Sequence, residues 1–247
     1  MKVIKSILGR LFAVWAALVF VASLLVVILP VWLISLQPEP RRTRNVFRIF
    51  RVWMNFFFFF TGVRRIFKGR EHFQKGENYI VVCNHNSFMD VPLCSPGIPG
   101  PNKTIAKVEL SRIPLFGTIY KSGSVLVDRK SEHSRKTSYA RMKQVLQMGL
   151  HMCIYPEGTR NKTKQPLQRF HDGAFRLAID TGKEVIPALI YHTAIVLPRG
   201  QTFFFWPHKV EMHFLPPVSP AGKTTEELKQ EIFEIMQAYY VKKKERE

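Results

Sequence analysis

Apolar and polar positions follow three different rhythms along this chain. Residues 11–36 carry no charge, and a helix over them would be roughly 39 Å long, more than the ~30 Å hydrocarbon core of a bilayer. Pro30 lies inside the run and is expected to kink it, so the segment either crosses a membrane with a tilt or enters and returns. The run is too long for a signal peptide, and no clear small-residue cleavage site follows it. A helical rhythm comes next. Arg44, Arg48, Arg51 and Asn55 fall on one face, with Val46, Phe47, Ile49, Phe50, Trp53, Met54 and the five phenylalanines 56–60 around them. Five consecutive phenylalanines cannot share one face of a core helix. The pattern predicts an amphipathic helix over about 44–67 in a membrane interface, phenylalanines among acyl chains and arginines at phosphates.

Beyond a charged connector at 68–78, short apolar runs alternate with longer helical patterns. Residues 79–83, 125–127, 152–155, 185–191 and 210–214 read as strands; 134–150, 174–181 and 225–242 read as helices. Gly149 and Gly182 mark the ends of the first two helices. Glu226 and Glu227 open the last one and lysines close it, as the helix dipole prefers. The β-α-β order predicts the α/β class: a domain over 69–247 around a central, mostly buried sheet, preceded by a membrane-anchoring helical segment over 1–68.

Charge sharpens this picture. A formal net charge of +19 calls for an anionic partner, while 46% hydrophobic residues suit a membrane-surface protein better than a free nucleic-acid binder. Five arginines follow the apolar run between positions 41 and 51, against Lys2, Lys5 and Arg10 before it, which favours a cytoplasmic face for the following domain. Cys83, Cys94 and Cys153 are odd in number, and two sit inside apolar runs; buried reduced thiols are the expectation.

Candidate chemistry lies at strand ends. After the first strand comes Asn84-His85-Asn86-Ser87-Phe88-Met89-Asp90. A carboxylate can take one imidazole N–H of His85, fix its tautomer and stabilise the imidazolium, leaving the other nitrogen to accept a proton. The bland reading is an Asn/Ser/Asp turn with a surface histidine. Arg129, at the end of a strand, suits two-pronged contact with a phosphate, or else a plain Asp-Arg surface turn. In Tyr155-Pro156-Glu157-Gly158-Thr159-Arg160-Asn161, Gly158 permits close backbone approach, Thr159 can donate to an oxyanion and Arg160 supplies charge. Glu157 would repel a phosphate, so it must bind a hydroxyl or hold an arginine. Pro187, within a strand, points to an edge, a bulge or a pocket wall. The other histidines show no paired ligand spacing, so no metal is expected.

In this order the segments resemble the glycerolipid acyltransferase family, in particular its 1-acylglycerol-3-phosphate acyltransferase (PlsC) type. The family's N-H-x4-D block is matched by Asn84, His85 and Asp90. Its Gly-x5-Arg block is matched by Gly123 and Arg129, and its Phe-Pro-Glu-Gly-Thr-Arg-Ser block by Pro156 to Arg160, with Tyr155 and Asn161 replacing the usual Phe and Ser. Its Val-Pro strand is matched around Ile186 and Pro187. The resemblance spans about 79–215. It implies acyl transfer from acyl-CoA or acyl carrier protein to lysophosphatidic acid, giving phosphatidic acid, without a cofactor or covalent enzyme intermediate. His85 would be the general base and Asp90 its partner. Arg129, Gly158, Thr159 and Arg160 would hold the acceptor phosphate. Glu157 would contact the acceptor or brace the arginines. Backbone N–H groups of the His85 turn, Lys107 or Asn84 would meet the oxyanion or donor. Expected partners are membrane phospholipids and these substrates, with no nucleic acid. Two alternatives stay open: another lyso-acceptor within the family, or a non-enzymatic basic protein that binds anionic membranes.

Overall fold

The computed structural model describes residues 2–163 and 165–245. Two long helices come first, α1 (Lys2–Ser35) and α2 (Arg41–Phe60), then β1 (Arg65–Lys68). The alternating part runs β2 (Ile80–Cys83), α3 (Asp90–Gly97), β3 (Asn102–Lys107), α4 (Phe116–Gly123), β4 (Ser124–Val127), α5 (Glu132–Gln147) and β5 (His151–Ile154). It continues with α6 (Gly173–Thr181), β6 (Val185–Tyr191), α7 (Thr193–Val196), β7 (Val210–Phe214) and α8 (Thr225–Lys244). The seven strands form one sheet in the order β1-β7-β6-β2-β5-β3-β4. Strands β2 to β6 all run parallel, β7 is antiparallel to β6, and β1 is parallel to β7.

Parallel strands at a sheet's centre are buried on both faces and read as continuous apolar runs. That is why β2, β5 and β6 were legible, whereas β7, antiparallel to β6, shows itself by alternation, with Val210, Met212 and Phe214 on either side of Glu211 and His213. Alternate residues serve two cores. Val81, Cys83, Cys153, Ile186, Ala188 and Ile190 pack under α1, α2, α3 and α4. Ile80, Val82, Met152, Ile154, Val185 and Leu189 pack under α5, α6 and α8.

The helices on the second face have the ends expected of helices facing water. Ser131 caps α5, Thr224 and Glu227 form a capping box on α8, and Gly182 closes α6 in the left-handed conformation. On the first face α1 and α2 form an antiparallel hairpin. Trp15 Nε1 donates to the Phe60 carbonyl and Trp53 Nε1 to Ser23 Oγ, and Phe20 packs on Trp53 and Phe57. Before this contact zone α1 meets a later loop: the Phe205 N–H donates to the Gly9 carbonyl and Phe12 packs edge-on against Trp206. A side chain at Gly9 would strike the Phe204 ring, which explains the glycine there. Residues 3–35 are long and apolar enough to cross a membrane.

Four expectations change. The helix passes Pro30 without a break. The amphipathic helix starts at Arg41 and ends at Phe60, and the residues after it turn into the edge strand β1. The polar stripe Arg44, Arg48, Arg51 and Asn55 is exposed as predicted, yet Trp53, Met54, Phe57 and Phe58 on the other side are core. Pro187 sits in an interior strand, not at an edge. In extended backbone a residue's N–H and C=O point to the same side, and the Pro187 carbonyl accepts from Leu215, just past the end of β7. The missing proline N–H therefore faces a gap in the ladder.

Candidate active site

Five parallel strands deliver their carboxyl ends to one edge, where open α/β sheets bind ligands. His85 follows β2, Lys107 ends β3, Arg129 follows β4, and the stretch from Glu157 to Arg160 follows β5. The topology thus gathers residues separated by up to 75 positions along one rim.

His85 and Asp90 meet as the spacing requires. The chain leaves β2 and turns, and Asp90 opens α3 with its carboxylate directed back. His85 Nδ1 lies 2.7 Å from Asp90 Oδ2, and the same oxygen accepts the N–H groups of Asn86 at 2.6 Å and Ser87 at 2.8 Å. Three donors on one fully buried oxygen fix both the carboxylate and the imidazole. Nε2 is the ring nitrogen left over, on a side chain 18% exposed. The Tyr155 ring stacks on the imidazole at 4.4 Å. Its flat face supports an imidazolium when one forms.

The backbone of His85 is gripped from both sides by the loop after β5. Its N–H donates to Glu157 Oε1 at 2.9 Å, and its carbonyl accepts from the Asn161 N–H at 2.6 Å. Glu157 Oε2 accepts from Gln168 through both backbone and side chain. Burial raises the Glu157 carboxyl above its ordinary range, against the lowering effect of the bonds from His85 and Gln168. Glu157 therefore braces the histidine turn. The expectation that it holds an arginine is corrected: Arg129 donates instead to the Gly158 carbonyl. Gly158 has φ +67°, and a Cβ there would press on the His171 ring at 3.0 Å. This is a position that only glycine fills without strain.

Asn84 also takes a different place. Its amide Oδ1 accepts the Ile190 N–H and its Nδ2 donates to the Ile190 carbonyl, at 2.7 and 3.0 Å, in full burial. It ties β2 to β6 beneath the site and does not face it. Nor are the N–H groups of His85, Asn86 and Ser87 free for an oxyanion, since Glu157 and Asp90 hold them. Among the sequence candidates, Lys107 is exposed at the rim, at the end of β3. Arg129 and Thr159 are exposed as well, and the Arg160 guanidinium lies 3.7 Å over the exposed Phe88 ring.

Sequence reasoning missed Asn161, Gln168 and Phe88 as parts of the site. Nothing in their residue types gives them away, because Asn161 acts through its backbone N–H, Phe88 by packing, and Gln168 by bonds to Glu157 that only the fold brings together. Tyr155 carried a faint signal, as a hydroxylated ring in place of Phe in a recognisable block. Gly123 has a structural reading too: a Cβ there would meet the Phe50 ring of α2 at 3.2 Å, so the glycine admits the hairpin against α4.

A family model described as Acyltransferase matches residues 64–191. The 1-acyl-sn-glycerol-3-phosphate acyltransferase alpha of Mus musculus is 29% identical over 191 residues, covering 76% of this chain and 67% of that protein. The 1-acyl-sn-glycerol-3-phosphate acyltransferase of Borreliella burgdorferi is 28% identical over 151 residues, covering 61% of this chain and 60% of its own. The crystal structure of the 1-acyl-sn-glycerophosphate (LPA) acyltransferase PlsC from Thermotoga maritima superposes with a TM-score of 0.80 at 25% identity, over 99% of this chain and 98% of that one.

Proposed function

The chain belongs to the acyltransferase family as an O-acyltransferase of the 1-acylglycerol-3-phosphate type, and we propose that it acylates the sn-2 hydroxyl of lysophosphatidic acid to give phosphatidic acid. The observation that carries the mechanism is the His85–Asp90 contact, with one ring nitrogen held and the other left for chemistry. Nε2 removes the proton of the acceptor hydroxyl while Asp90 stabilises the imidazolium. The alkoxide attacks the thioester carbonyl of acyl-CoA or acyl carrier protein. A tetrahedral oxyanion forms and collapses, and the thiolate leaves with the proton held by His85. Lys107 is the candidate to meet the oxyanion. No cofactor enters the step.

Arg129, Thr159 and Arg160 supply the positive, donating rim that a phosphomonoester needs, and the Gly158 carbonyl orients Arg129. The hairpin holds this rim at a membrane surface on the cytoplasmic side, where the lipid acceptor keeps its tail among phospholipids and the acidic donor arrives from water. The test is an acceptor panel with the full chain in detergent micelles and a long-chain acyl thioester. Lysophosphatidic acid should be consumed at least tenfold faster than lysophosphatidylcholine or glycerol 3-phosphate. Equal use of all three would remove the phosphomonoester from the account.

A further inference from the structure

Directly beneath His85 three thiols converge from three elements. Cys83 ends β2, Cys94 lies one turn into α3, and Cys153 lies in β5. Cys94 Sγ stands 3.4 Å from both Cys83 Sγ and Cys153 Sγ, and all three sulfurs lie within 4.8 Å of one another. Three sulfurs each 2.3 Å from a common ion stand roughly 3.8–4.0 Å apart, so the trio needs movements of only a few tenths of an ångström to surround one. Two hydroxyls close the cluster. Thr104 Oγ1 beside Cys153 and Tyr155 Oη beside Cys94 are buried, and among the described residues neither has a hydrogen-bond partner of ordinary geometry.

We propose that Cys83, Cys94 and Cys153 form a binding site for one thiophilic divalent ion of the zinc class, with Thr104 and Tyr155 as the neighbouring oxygens. Two thiolates neutralise a divalent charge, so the ion can be buried without a net charge; each of those two thiols gives its proton to solvent. The third sulfur and a hydroxyl complete a fourfold shell. The ion does not touch the reacting atoms. It ties together the elements that carry the catalytic pair, since His85 lies two residues beyond Cys83 and α3 opens at Asp90, four residues before Cys94. The cluster offers sulfur and no carboxylate, which selects against hard ions such as Mg2+.

The sulfurs are closed off from solvent, so the ion is supplied while the chain folds. Untagged full-length protein is produced in cells given added Zn2+ or Cd2+, then purified with a non-thiol reductant. Metal is counted by elemental mass spectrometry, and thiolate-to-cadmium charge transfer is read in the ultraviolet. Wild type should carry about one ion per chain with the charge-transfer band, and Cys94→Ala or Cys94→Ser should lose at least five-sixths of both. Less than a tenth of an equivalent in wild type overturns the proposal even if the variants fail to fold. So does a disulfide at Cys94 in the intact mass, or metal content that Cys94 substitution leaves unchanged.

Discussion

The two faces of the central sheet are closed by helices of opposite character. On one face α5, α6 and α8 bury Met142, Phe175, Leu177, Leu228 and Ile232 and turn charged residues outward. On the other, α1 buries Ala13, Ala16, Val19, Leu24 and Val31 and exposes Val21, Leu25, Val26, Leu29 and Trp32. An exposed apolar patch of that size is a binding surface, and a lipid bilayer is the partner its composition fits. The comparison teaches that one sheet can be built between two solvents. Both its faces are equally dry inside, and only the outer surface of the covering helices differs.

The largest effect that sharpens this comparison contrasts a core residue with a lipid-facing one. Phe175 is fully buried, so Phe175→Ala should cost about 3–5 kcal/mol in denaturant unfolding in micelles. Val26 is 74% exposed, and Val26→Ala should change that value by less than about 0.5 kcal/mol. A comparable loss at Val26 would mean that the outer face of α1 is covered by protein, and the two-solvent account would break.

A smaller effect concerns how the hairpin is fastened. Glu39, in the turn between α1 and α2, accepts from Lys103 Nζ of β3 at 2.8 Å, from Arg42 and from Thr43. Lys103→Met should cost about 1–3 kcal/mol, since it leaves a half-buried carboxylate without its buried lysine partner. The exposed pair Lys136–Glu132 on α5 has the same 2.8 Å separation, yet Lys136→Met should cost below about 0.5 kcal/mol. Equal costs would mean that the hairpin is not locked to the sheet at this point.

The smallest effect is a pH dependence. Burial alone would raise the Glu39 carboxyl, but the bonds from Lys103, Thr43 and Arg42 outweigh it and hold the group at about 2, below its ordinary 4.5. Its contribution is complete above about pH 4.5 and is lost as pH falls toward 2. His151 lies under the sheet's opposite edge, its ring accepting the Tyr79 N–H and meeting the Pro99 carbonyl, and burial lowers it from 6.5 to about 4. Its contribution is complete above 6.5 and falls as pH drops toward 4. Unfolding midpoints of wild type and Lys103→Met should therefore decline in parallel from pH 6.5 to 4.5 and converge below that. A constant gap down to pH 2 would detach Glu39 from the lock.

What the sequence made legible follows the same division. Continuous apolar runs betrayed β2, β5 and β6, alternation betrayed β7, and the ordered blocks pointed to His85 and Asp90. β3 stayed hidden because it opens with two buried polar residues: Asn102 is held locally by the Ser95 and Gly100 carbonyls, and Lys103 is matched by Glu39, 64 positions away. α3 stayed hidden because it is eight residues long and carries Pro92 in its first turn and Pro96 inside it, the latter a helix breaker that only its tertiary setting permits. β1 is four residues long and borrows its order from β7. Glu157 was recognised as a puzzle, but its answer, a backbone N–H 72 positions away, is a matter of topology. The thiol cluster was equally out of reach, since spacings of 11 and 59 residues match no ligand pattern.

The most direct test of the account is the acylation rate of lysophosphatidic acid by His85→Ala beside wild type, with the unfolding midpoint of each. The rate should fall about a thousandfold or more while the protein stays cooperatively folded, its stability lowered by no more than the about 1–3 kcal/mol that losing one bond to Asp90 costs. Near-wild-type turnover in a folded His85→Ala protein would contradict the His85–Asp90 mechanism outright.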